Sequence, residues 1–196
     1  MDVRYDEYEF GLSWVVKETM GRTSHALRDD GGRVWLIDPV DVPEAVERAT
    51  ALGKPAGVVQ LLDRHERDGA ELAARLGVPH HRLPDELPGS PFQVFDVVSV
   101  PKWREKGLWW PERRALVIAE AVGTIRYFRL AAQHAGIHPF LRALPPKAPR
   151  RFAPEHLLVG HGRGVHGPHA AAALEEAYQR SRRDLPRLPL TMLRGG

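Results

Sequence analysis

The stretch Asp63-Arg64-His65-Glu66-Arg67-Asp68 sets two aspartates, a glutamate and an imidazole within six residues. Imidazole nitrogen and carboxylate oxygen are donors that zinc and similar divalent ions accept, so the chemistry to weigh is metal binding and metal-assisted attack by water. The chain has no cysteine, which excludes both a thiolate zinc site and a disulfide framework. Two further polar residues stand just beyond apolar runs: Asp38 after Val34 to Ile37, and Glu120 after Ala115 to Ala119. In open α/β sheets, ligands bind at strand ends.

These residues need elements to hold them. Gly57 to Leu62 is nearly continuously apolar, as in a strand covered on both faces. It feeds the charged stretch, and a helical pattern from Gly69 to Leu76, closed by Gly77, leaves it. Upstream, Phe10 to Leu27 suits half-buried strands, and Asp29-Asp30-Gly31-Gly32 is a turn before Arg33 to Ile37, which together predict a hairpin. Asp38-Pro39 ends that hairpin and puts the carboxylate on the same rim as the charged loop. Pro43 to Leu52 reads as a short helix with proline at its start and Gly53 after its end.

Residues Pro79 to Pro91 carry four prolines and predict an irregular crossing. Strands are expected at Phe92 to Val100, Leu108 to Trp110, Ala115 to Ala119 and His156 to Val159. Helices are expected at Thr124 to His134 and Pro168 to Arg183, with a stiff basic connection from Ala143 to Arg151. The alternation is α/β, or α+β by some schemes.

In this order the parts resemble the metallo-β-lactamase fold superfamily, from roughly residue 10 to residue 183. The resemblance rests on Leu36-Ile37-Asp38-Pro39, the loop Asp63 to Asp68, Ala119-Glu120, and Val159-Gly160-His161-Gly162. It implies a four-layered αββα sandwich with the active site along one edge. It also implies a loop of the form H-x-H-x-D-H that holds two metal ions. Here that loop reads Asp63-x-His65-x-Arg67-Asp68, so one histidine stands unchanged, Asp63 takes the first histidine's place, and Arg67 replaces an aspartate with a permanent cation. Trp103 or Lys102 stands where a further histidine is expected, Glu120 stands at the bridging aspartate, and His161 matches the last histidine.

The resemblance therefore implies a degenerate motif with at most one divalent ion, zinc foremost. The candidate ligands are Asp63, His65, Glu120 and His161, with Asp68 as general base or further ligand, and Asp38, Arg67 and Trp103 lining the pocket. The favoured expectation is metal-free: Arg67 would pair with Asp63, Asp68 and Glu120 where a metal would sit. The protein would then lack efficient hydrolysis and act through its pocket or as a binding or assembly module. The alternative is a mononuclear metal-dependent hydrolase of unassigned substrate.

Other motifs carry less. Gly162, Gly164 and Gly167 spell G-x-G-x-x-G, but no strand follows the next helix, as a dinucleotide unit requires. Five serines, Ser13, Ser24, Ser90, Ser99 and Ser181, lack a nucleophile elbow. Lys102, Arg104 and Lys106 beside Trp103, Trp109 and Trp110 are ingredients of single-strand binding, the basis of a nucleic-acid alternative. A net charge of +3 disfavours it. The 196 residues, 43% hydrophobic, suit a single domain over residues 1–183, with a loosely packed Pro/Gly-rich tail over 184–196. The acidic N-terminus lacks a signal core and no window reaches the ~20 apolar residues of a membrane span, so a cytoplasmic location, without membrane contact, is the expectation. A small-molecule ligand and a homo-oligomer both stay open.

Overall fold

The computed structural model describes residues 1–130 and 132–185. Six strands form the first sheet: β1 (Val3–Tyr8), β2 (Gly11–Val16), β3 (Thr23–Arg28), β4 (Arg33–Ile37), β5 (Lys54–Gln60) and β6 (His80–Arg82), side by side in chain order. The first four are antiparallel, whereas β4, β5 and β6 run parallel. The parallel steps are made by α1 (Pro43–Ala51) and α2 (Gly69–Leu76), as crossover connections require. Five strands form the second sheet in the order β13 (Val165–His166), β12 (His156–Val159), β9 (Ala115–Ile118), β8 (Trp103–Trp110) and β7 (Gln93–Val100). Within it only β12 and β9 are parallel. A two-stranded ladder, β10 (Val122–Gly123) with β11 (Gly136–Ile137), two 3-10 turns, Pro139–Leu141 and Ala148–Arg151, and a last helix, α3 (His169–Ser181), follow among the described residues.

Strand periodicity assigns the layers. Along β4, Trp35 and Ile37 point to a cluster shared with Val59, Leu108, Trp110, Val117 and Leu158, which fills the space between the sheets. Their neighbours Val34 and Leu36 point the other way, against Ala45 and Ala49 of α1 and Ala73 of α2. On the second sheet Leu116, Ile118, Leu157 and Val159 pack on Ala170, Ala173, Leu174 and Ala177 of α3. The layers are thus helix, sheet, sheet, helix, the αββα sandwich expected from the sequence. Strands covered on both faces explain the apolar run of β9 and the apolar C-terminal halves of β5 and β12.

The helix expected from Thr124 to His134 does not form. Val122 pairs with Ile137 and Gly123 with Gly136, so the two ends of the segment lie side by side. A helix of eleven residues would hold them roughly 16 Å apart. The segment wraps around the Phe128 ring instead. A Cβ at Gly123 would meet that ring at 2.6 Å, and one at Gly136 would meet the Phe128 carbonyl at 1.9 Å. Five strands escape the sequence pattern: β1, β6 in the proline-rich crossing, the paired β10 and β11, and β13 inside the glycine motif. No strand follows α3 among the described residues, in keeping with the reading against a dinucleotide unit. Asp184, where the loose tail was expected to begin, is buried, and its amide donates to the Arg180 carbonyl at 2.9 Å. Residues 186–196 of that tail lie outside the described residues. No helix among the described residues is long and apolar enough to cross a membrane.

Candidate metal centre

The ends of four strands and one short ladder bring the polar residues to one edge of the sandwich. Asp38 follows β4 at a φ of +43°. Its amide donates to the Val59 carbonyl at 2.8 Å, and its Oδ1 accepts from the Leu61 amide at 2.9 Å. The chain then crosses between the sheets: the Lys106 amide donates to the Leu61 carbonyl at 2.8 Å and the Asp63 amide to the Arg104 carbonyl at 3.0 Å. This crossing delivers His65 to the rim. Glu120 follows β9, and its amide and that of Ala121 donate to Glu105 Oε1 at 2.8 and 3.0 Å. His161 follows β12 through Gly160, where a Cβ would lie 2.1 Å from the Ala119 carbonyl, so only glycine allows the approach.

His65, Glu120 and His161 are all buried, and one ligand atom from each lies within 4.8 Å of the others. Glu120 Oε2 is 3.2 Å from His65 Nε2 and 2.9 Å from His161 Nε2. The opposite ring nitrogens fix the tautomers. His161 Nδ1 is 2.8 Å from the Met20 carbonyl, which can only accept, so Nδ1 carries the proton. His65 Nδ1 is 3.0 Å from Asp38 Oδ2 and donates to it. Both Nε2 atoms of the neutral rings are therefore lone pairs aimed at a carboxylate oxygen. Three acceptors facing one another out of water require a cation among them, either protons on the rings or a metal ion.

His138 completes the ring around Glu120. The Phe140 amide donates to His138 Nδ1 at 3.3 Å, so in the neutral ring Nε2 holds the hydrogen and donates to Glu120 Oε1, also 3.3 Å away. One carboxylate oxygen is thus capped by a donor while the other faces two lone pairs. Trp103 sets its ring edge-on to His138 at 4.8 Å and donates its indole N–H to Glu105 Oε2 at 3.2 Å, so it borders the centre through both.

Burial acts against the charged form of Glu120, but the bonds to His138 and, when their Nε2 atoms carry protons, to His161 and His65 outweigh it and hold the carboxyl far below its ordinary range. At His65, burial and the Arg67 charge favour the neutral ring. The Asp38 and Glu120 carboxylates overcome both and raise its pKa. Burial, with Glu120 adding like charge, pushes Glu105 up to about 7 despite its amide donors. A raised carboxyl favours the folded state while protonated, and that stability is lost as pH rises from the unfolded value of 4.5 through about 7. Glu105→Gln removes this titration, although its amide group cannot accept from Trp103. In urea unfolding of the metal-free protein, the stability advantage of the wild type over this variant should shrink by about 3 kcal/mol between pH 4.5 and pH 7.5.

The other expected site residues sit elsewhere or act differently. Asp63 Oδ2 accepts from the Arg104 amide at 2.8 Å, and Asp68 Oδ2 from the Asp41 amide at 2.7 Å, which ties the residue before α2 to the loop before α1. Neither joins the cluster of ligand atoms. Arg67 does not make the expected pairs with Asp63, Asp68 and Glu120. Its Nη1 donates to the carbonyls of Thr23 and Asp38, both at 2.6 Å, and its Nη2 to that of Gly160 at 3.2 Å. The loop's φ of +38° at Arg67 turns the guanidinium between the two sheets. The basic and aromatic segment around 102–110 is strand β8. Trp110 is buried, Trp109 stacks on Phe152, and Lys106 is held by Asp85 and Asp96 at 2.6 and 2.8 Å. Trp103 and Trp109 are partly buried and pack against the core clusters on either side of the strand. Sequence reasoning missed His138 and Glu105. Glu105 did leave a signal, a charged residue at an inward-facing position of a strand. The two-residue strand before His138 left almost none.

No protein-family sequence model matches the chain, and a search of curated proteins finds no match. Solved structures do match. The chain is similar to a metallo-β-lactamase from Hirschia baltica, with a TM-score of 0.62 at 9% identity over 92% of this chain and 98% of that one. It is similar to the DIM-1 metallo-β-lactamase, with a TM-score of 0.61 at 12% identity, covering 93% and 98%. The BLEG-1 B3 metallo-β-lactamase gives 0.54 at 15%, covering 80% and 97%. At such identities the likeness shows the fold, which is metallo-β-lactamase-like.

Proposed function

We propose that the protein is a mononuclear metal-dependent hydrolase whose metal ion is held by His65, Glu120 and His161. The observation that supports this most directly is the meeting of three buried acceptors, His65 Nε2, His161 Nε2 and Glu120 Oε2. Each histidine is oriented through its other nitrogen, by the Asp38 carboxylate and the Met20 carbonyl, the outer-shell arrangement that fixes ligating imidazoles. Three protein ligands leave a coordination position for water or substrate, as catalytic zinc sites do. Glu105 holds the Glu120 backbone, and His138 occupies the carboxylate oxygen turned away from the other two rings. A bound divalent ion would supply Lewis acidity and lower the pKa of water.

Arg67 bears on the number of ions. At the loop position where the motif would supply a ligand to a second ion, this chain has a permanent cation, whose guanidinium binds three backbone carbonyls. A second, metal-free reading draws on the raised pKa of His65: protons on His65 and His161 would also satisfy Glu120, leaving a pocket that binds without hydrolysing. Hydrolysis tests the choice. Zinc-loaded protein should cleave at least one of p-nitrophenyl butyrate, bis(p-nitrophenyl) phosphate and nitrocefin, with activity removed by chelator, restored by zinc, and reduced more than about 100-fold in His161→Ala. Equal rates with and without metal would overturn the hydrolase.

A further inference from the structure

A cleft of about 1460 Å³ opens beside the centre, and its charge is one-sided. Arg4, Lys17, Arg126, Arg129 and Arg163 line it, against one carboxylate, Glu18. The chain as a whole carries only +3, so the cleft concentrates more positive charge than the molecule has in excess. Glu18 adds little to neutralise it, because both its oxygens are taken by Arg22 at 2.5 and 3.0 Å. Lys17 and Arg163 have carboxylate partners, Asp2 and Asp6. Arg4, Arg126 and Arg129 have no carboxylate partner among the described residues, and the Arg129 Nε–H is buried with no acceptor. The structure would gain by bringing an anion here.

The cations come from separate elements: Arg4 from β1, Lys17 from the turn after β2, Arg126 and Arg129 from the wrapped segment, and Arg163 from the turn after β12. Charges spread this way suit anionic groups spaced along a chain better than a single anion. The volume exceeds the roughly 300–1,000 Å³ of ordinary small-molecule pockets. Between the charges, Val15, Ile125 and Leu130 offer apolar surface and Tyr127 a ring. The cleft reaches the centre through Met20, whose carbonyl holds His161, and through Tyr127, whose ring lies 5.3 Å from that of His138.

We propose that this cleft binds a ligand bearing several phosphate groups along a chain, either a nucleoside triphosphate or a single-stranded oligonucleotide. The inference stands on the cleft and not on the metal reading. Binding is measured on full-length protein in EDTA and again after zinc loading, by calorimetry with ATP and by fluorescence polarisation with a labelled ten-nucleotide single strand. At least one probe should bind in both conditions. Its affinity should fall with salt, for the oligonucleotide with a log–log slope near −2, about 0.7 for each of three neutralised phosphates. The exposed charge reversals Arg4→Glu and Arg126→Glu should each weaken binding about tenfold without moving the thermal midpoint, since neither residue has an ion-pair partner to lose. Preference for ATP identifies a free nucleotide, and preference for the strand identifies a polymer. Failure of both probes to bind at low salt, or binding unchanged in both variants, overturns the proposal. Because the EDTA arm needs no metal, this outcome is separable from failure of the hydrolase.

Discussion

Replacing Arg67 by alanine should lower the unfolding free energy by about 3–5 kcal/mol, the largest effect expected of any single side chain in the charged loop. Its guanidinium joins Thr23 and Asp38 of the first sheet to Gly160 of the second through three charge-assisted bonds. Truncation leaves these carbonyls short of a donor between layers that exclude water. Arg67→Lys should recover little, because one ammonium cannot reproduce the planar fork that reaches both sheets. Denaturant midpoints at a constant slope measure the loss. A change under about 1 kcal/mol in Arg67→Ala would show that the guanidinium is not what ties the sheets at this edge.

The second large effect is expected at Glu120. Glu120→Gln keeps the shape and the backbone bonds to Glu105 but removes the negative charge on which His65, His138 and His161 converge. Zinc affinity should fall more than about 100-fold, as for loss of a charged ligand and not of an outer-shell partner. His65 should also lose part of its raised pKa, since Glu120 is one of the two carboxylates that raise it. A competition titration with a zinc indicator reads the first, and the imidazole resonance of metal-free protein reads the second. Retained affinity would place the metal elsewhere.

The architecture was legible where one physical signal dominated. The helix from Gly69 to Leu76, with Gly77 in the left-handed region at its end, is read directly from periodicity and cap chemistry. The buried strands likewise follow from apolar runs; Asp38 and Glu120 could be placed at strand ends because each ends such a run, and His161 followed from the family resemblance. What was not legible depended on contacts far apart in the chain. Arg67 finds backbone carbonyls at residues 23, 38 and 160, and carbonyls leave no mark on a sequence. The charged loop suggested carboxylate partners only because carboxylates are visible as residue types. Asp63 and Asp68 were drawn to the site by their spacing, yet backbone amides claim both. The stretch from Thr124 to His134 has helical propensity, but pairing of Gly123 with Gly136 overrides it. That same ladder carries His138 to Glu120.

The proposed centre holds a single metal ion at His65, Glu120 and His161. Calorimetric titration of chelator-treated, dialysed protein with zinc at pH 7.5 tests it most directly. One equivalent per chain is expected, lost in His161→Ala and in His65→Ala and kept in Asp63→Ala and Asp68→Ala. Two equivalents in the wild type, none, or binding that survives in His161→Ala would contradict it.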